Sequence, residues 1–144
     1  MAVSAATRPV VVDMSNSPFA KPRPVPLDAV EIADAFWAPR QRRNREATLP
    51  SQYRLLWETG RIDNLLRAAG QREGPFQGRV FNDSDIYKWL EAASWSLAAH
   101  PDSELRGMVD EVVPIVAAAQ RPDGYLNSYF AREQMDKELQ QNVL

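Results

Sequence analysis

Two stretches of this 144-residue chain hold groups suited to gripping a sugar. The first is Phe81-Asn82-Asp83-Ser84-Asp85-Ile86-Tyr87-Lys88-Trp89-Leu90-Glu91-Ala92. The second, further along, is Gln120-Arg121-Pro122-Asp123-Gly124-Tyr125-Leu126-Asn127. Carboxylates and amides bind hydroxyls, and aromatic faces pack on the apolar side of a sugar ring. Asp83, Asp85, Tyr125 and Asn127 are therefore the candidate substrate-binding residues. Each has a plainer reading. Asp83 and Asp85 stand where a helix should begin, and capping is the commoner task of acids placed there. Asp85 and Lys88 have the spacing of a local ion pair, typically worth about 0.2–0.5 kcal/mol. Asn127 is either a turn-former or a hydroxyl ligand.

Tyr87, Trp89, Trp95, Tyr125 and Tyr129 offer stacking faces. Trp89 and Trp95 are expected in the core, while Tyr125 and Tyr129 follow a glycine in a loop and are better placed to line a pocket. No two carboxylates can be paired as glycosidase acid and base, because that assignment needs a separation across the substrate. The single histidine, His100, precedes a proline at a helix–helix turn and reads as a surface residue. Arg40, Arg42, Arg43 and Arg45, interrupted by no acid until Glu46, read as a solvated helix face. There is no phosphate loop, dinucleotide glycine pattern, HExxH or EF-hand loop.

Composition sets the outer limits. The apolar share of 44% and charged share of 25% are those of an ordinary globular domain. A net charge of −2 gives no electrostatic reason to expect nucleic acid or an anionic membrane as partner. With no cysteine, the chain has no disulfide, no thiolate metal site and no thiol nucleophile of its own. No run approaches the ~20 apolar residues of a membrane span. Met1–Met14 lacks the apolar core of a signal peptide, so the expected location is cytoplasmic.

The elements that must position these residues are helical. Residues 1–26 hold Pro9, Pro18, Pro22, Pro24 and Pro26 and read as an extended Pro-rich arm. Leu27–Ile32 alternates like one short strand, which must pair with something to persist. A helix should start near Pro39 and run to about Thr48, where Pro50 interrupts or restarts it. Tyr53, Leu56 and Trp57 continue the apolar stripe until Gly60 ends it. Ile62, Leu65 and Leu66 face inward on a short helix stopped by Gly70, and a loop follows to about Asn82. Ile86, Leu90, Ala93 and Leu97 then recur at helical spacing, with Asp83 or Ser84 as N-cap. After His100-Pro101-Asp102 comes a second long helix, with Leu105, Met108, Val112, Ile115 and Ala119 inward and Pro114 bending it. Residues 131–142 have helical composition. The first long helix is apolar on more than one side and the second is amphipathic. That asymmetry predicts an all-α toroid of inner and outer helices, with a bundle as the competing architecture.

The order and spacing of Phe36-Trp37-Ala38-Pro39, the Asp83–Ala92 run and Asp123-Gly124-Tyr125-Leu126-Asn127 resemble the N-terminal part of glycoside hydrolase family 127. The resemblance to these β-L-arabinofuranosidases extends from about Val25 to Phe130. It implies that residues 27–144 are the first portion of an (α/α)6 barrel, a partial toroid of antiparallel helix pairs. It also implies a pocket at the end where inner helices begin, which shifts Asp83, Asp85, Tyr125 and Asn127 toward pocket roles. Leu27–Ile32 would join an accompanying β-sandwich domain. For the family, the resemblance implies retaining hydrolysis of terminal L-arabinofuranosides by a cysteine nucleophile at a zinc site, with further cysteines and a glutamate. A separate glutamate would serve as acid/base. None of these residues can be carried over, so no catalytic or metal-binding residue is assigned in this chain, and zinc is expected only in the full-length family. After Phe130, Ala131-Arg132-Glu133-Gln134-Met135-Asp136 departs from the pattern, and the histidine expected to follow is absent. The chain is therefore expected to be an amino-terminal piece, inactive alone, whose full-length form binds an L-arabinofuranose-like carbohydrate. An uncovered apolar helix surface would favour self-association. The competing readings are a non-catalytic carbohydrate-binding or protein-interaction module, and another α/α toroid such as a glycuronyl hydrolase or sugar epimerase.

Overall fold

The computed structural model describes residues 10–130, and among these every regular element is helical. α1 (Trp37–Arg43), a π-helical turn (Asn44–Thr48) and α2 (Leu49–Glu58) run on as one rod. The wider turn lies just ahead of Pro50, which has no N–H to give the Glu46 carbonyl and whose ring crowds it. The Leu49 amide reaches back to the Asn44 carbonyl instead. Pro50 thus widens the helix without ending it.

Gly60 closes α2 in the left-handed region at φ 73° and opens α3 (Arg61–Ala68). A side chain there would be strained, and a Cβ would stand 1.8 Å from Gln77 Oε1. α4 (Asp83–Ala99) and α5 (Ser103–Ala119) are joined by a tight turn and pack antiparallel. Asp102 caps α5, accepting from the Glu104 and Leu105 amides at 3.0 Å each. Pro114 sits inside α5 on its exposed side.

α3 lies broadly on α5, and α4 packs on α2, α3 and α5. Their shared core holds Leu49, Leu56, Ile62, Leu65, Ile86, Trp89, Ala93, Leu105, Val109 and Val112. Of the inward stripes expected on α4 and α5, Ile86, Ala93, Leu105, Val112 and Ala119 are buried, and Leu90, Leu97, Met108 and Ile115 pack partly buried against the core. The architecture is an all-α partial helical barrel. No helix among the described residues is long and apolar enough to cross a membrane.

Three expectations are corrected. Leu27–Ile32 does not form a strand: Leu27–Ala29 is a 3-10 turn lying against α4, and Val30 is extended with no ladder partner. An alternating pattern without a neighbouring strand has nothing to bond. Trp95 is not core. It is 38% exposed whereas Trp89 is 3%, because six helical residues rotate the second ring away from the face α4 buries. Trp95 is also the one large apolar side chain of α4 that is exposed. Finally, neither Asp83 nor Ser84 is the N-cap. Asn82 holds that position without a side-chain cap bond, and Asp83 is already helical with its carboxylate engaged elsewhere. The helix expected over residues 131–142 lies outside the described residues, as do residues 1–9 of the arm.

Candidate functional site

The start of α4 is where the chain gathers its polar groups. Asp83 is buried at 4% exposure, and one carboxylate oxygen accepts the Ser128 amide at 2.6 Å. The other accepts the Ser128 hydroxyl. A buried carboxylate needs such donors, since an unpaired charge away from water is costly. Ser128 is delivered by a turn that Asn127 makes, its side-chain oxygen accepting the amides of Tyr129 (2.9 Å) and Phe130 (3.2 Å). Tyr129 then packs edge-on against Phe76, with centroids 5.0 Å apart, and against Phe130 at 4.7 Å. Loop 123–130 and loop 70–82 therefore meet at one end of α4.

The second loop is pinned by a residue the sequence reading missed. Asn64, 1% exposed on α3, donates to the Gln77 carbonyl at 2.8 Å and accepts the Gln77 amide at 2.9 Å. It serves Gln77 as another backbone would. Arg67 adds a bond to the same Asn64 oxygen at 3.0 Å. The available signal was a polar residue inside the Ile62–Leu65 apolar stripe. Ser128 carried no comparable signal.

Asp85 points elsewhere. Arg61 Nε donates to it at 2.7 Å, and its side chain is 43% exposed. The pair borders a cavity of about 500 Å3 between α2 and α4, which Gln52, Thr59, Lys88 and Trp89 also line. Tyr125, 41% exposed, and Asn127 line a smaller hollow of about 110 Å3 beside Ala68 and Ala119. The structure thus joins Asp83 to the loop carrying Tyr125 and Asn127, and sets Asp85 apart on the larger cavity. Chemically, the loops supply amides and an aromatic face, and the cavity supplies a charged pair, an amide and a hydroxyl.

Among the described residues no three His, Cys, Asp or Glu side chains come together as a metal site. With no cysteine in the sequence, the residues present do not fit a thiolate zinc centre.

Tyr87 lies one helical turn beyond Asp83, and its hydroxyl is buried beside that carboxylate. Burial, and secondly the Asp83 charge, push this phenol up from 10.0 to about 12. The folded state therefore holds this proton more tightly than the unfolded one. Its stabilising contribution is complete below pH 10 and is lost as pH rises through about 12. In an alkaline absorbance titration, Tyr87 should supply a phenolate step near pH 12 that Tyr87→Phe removes. A step for Tyr87 at the ordinary tyrosine value would contradict the burial of its hydroxyl.

A family model described as "Beta-L-arabinofuranosidase, GH127 catalytic domain" matches residues 29–143. The match continues past Phe130, where the sequence reading expected it to stop. The non-reducing end beta-L-arabinofuranosidase of Bifidobacterium longum subsp. longum is 36% identical over 69% of this chain and 18% of its own length. The crystal structure of a GH127 beta-L-arabinofuranosidase from Geobacillus stearothermophilus T6 superposes with a TM-score of 0.71 at 36% identity, covering 75% of this chain and 18% of that one. A second GH127 beta-arabinofuranosidase structure gives 0.68 at 41% identity, covering 75% and 17%. The chain spans less than a fifth of the relatives it matches.

Proposed function

Because the chain belongs to the β-L-arabinofuranosidase family GH127, we propose that it builds one wall of the substrate pocket in an enzyme removing terminal L-arabinofuranose by retaining hydrolysis. Its contribution is to bind and position, and the bond-breaking groups come from elsewhere in the enzyme. The observation that best supports this is the buried Asp83–Ser128 tie, which holds loop 123–130 against the start of α4, where Tyr129 meets Phe76 of loop 70–82. Asp83 and Asn127 set the loop's shape. Tyr125 presents an exposed ring face to the sugar, while Asp85, oriented by Arg61, offers its carboxylate to hydroxyls at the separate cavity between α2 and α4.

Alone, the chain lacks the nucleophile. A thiolate attacks the anomeric carbon in the mechanism that the family resemblance implies, and no residue here supplies sulfur of that kind. A carboxylate in that role would need a partner acid at a defined distance across the sugar, and the exposed Asp85 is held by an arginine instead.

The test is a chimera in which residues 29–130 replace the matching segment of the Bifidobacterium enzyme. It should hydrolyse p-nitrophenyl β-L-arabinofuranoside, and Asp85→Asn or Tyr125→Ala should raise KM about tenfold, the loss of roughly one hydrogen bond or stacking contact. A folded chimera without turnover, or one indifferent to both substitutions, would count against the proposal.

A further inference from the structure

The far end of α4 carries a second cavity, of about 530 Å3, walled by the N-terminal segment. α4 has 17 residues, so this end is separated from Asp83 by most of a rod about 25 Å long. Trp95 is its aromatic floor. The indole N–H is turned toward Glu91 Oε1 at 3.4 Å, and 38% of the residue remains exposed. Val30 and Ile32 form an apolar wall, while Glu31, Gln41 and His100 bring a carboxylate, an amide and an imidazole to the same space.

We infer that this cavity is a binding site for a neutral saccharide, distinct from the loops at the start of α4. An exposed indole packs against the C–H face of a sugar ring, where an anionic or fully polar ligand gains little. The carboxylate, amide and imidazole match hydroxyls, which both donate and accept. Neither lysine nor arginine lines the cavity and the Glu31 carboxylate stands in it, so an anionic sugar is repelled. A purely apolar partner would leave these polar groups desolvated without bonds. The inference stands on this cavity alone and does not require that the chain take part in hydrolysis.

The test is ligand-observed NMR of the 144-residue chain with a neutral arabino-oligosaccharide, and with galacturonate as the anionic counterpart. The neutral sugar should bind and galacturonate should not. Trp95→Ala should weaken binding at least about tenfold, and Val113→Ala, on the exposed side of α5 and outside the cavity, should leave it in place. Circular dichroism checks that each variant keeps its helices. If Trp95→Ala does not, Glu31→Gln, on the exposed N-terminal segment, decides by weakening binding without loss of fold. The inference is overturned if no neutral sugar binds, if galacturonate binds equally, or if Trp95→Ala keeps its helices and binds the sugar as the unchanged chain does. It is overturned as well if sedimentation shows that Trp95 mediates self-association while sugar has no effect.

Discussion

Trp89→Ala is expected to lower the unfolding free energy by about 3–5 kcal/mol. Trp89 is 3% exposed at the centre of the core, and its ring lies 5.4 Å from that of Tyr53. Its indole N–H donates to the Leu49 carbonyl at 2.9 Å across the α2–α4 contact. Truncation would open a cavity and remove the indole donor from that carbonyl, at the point where Pro50 follows a widened helical turn. Domains of this kind hold only about 5–15 kcal/mol in total, so the variant should be mostly unfolded well below the wild-type midpoint. Trp95→Ala should cost under about 1 kcal/mol, since a part-exposed ring leaves little cavity behind. Urea or thermal melts of the two variants measure the difference directly. Equal losses would mean that α4 buries a different face.

That contrast also shows where reading residues in order reaches its limit. Helix spans and stops were legible because their causes are local: Gly60 and Gly70 in left-handed conformations, Asp102 capping α5, and apolar spacing along α4 and α5. Trp89 and Trp95 looked alike because each lies on an apolar side of α4. Which side is buried depends on where α2 and α5 stand, and no local signal carries that. The Leu27–Ile32 alternation failed for the same reason, since a strand is defined by a partner.

The candidate site divides similarly. Tyr125 in a glycine-containing loop and Asp85 beside a cavity were visible as residue types in a suggestive order. Asp83 was visible as an acid at a helix start, but its actual partner is Ser128, 45 positions away. Asn127 was left between turn-former and ligand, and the structure uses its oxygen to form the turn. Asn64 went unnoticed because a buried asparagine on a helix is meaningful only once the loop it bonds is in place.

The central claim is that this chain frames a pocket whose bond-breaking groups it does not contain. The largest effect expected of it is therefore an absence of turnover. In the uncatalysed case a glycosidic bond lacks both a covalent partner and a positioned acid, and enzymes of this kind supply at least about 10⁶-fold. Losing the nucleophile removes most of that, whereas pocket residues alone only bind. The direct measurement is release of p-nitrophenol from p-nitrophenyl β-L-arabinofuranoside by the purified 144-residue chain, with and without added zinc. The account predicts background rates in both conditions. Turnover that co-purifies with the chain and disappears in Asp85→Asn would contradict it and place a carboxylate mechanism in the Arg61–Asp85 cavity.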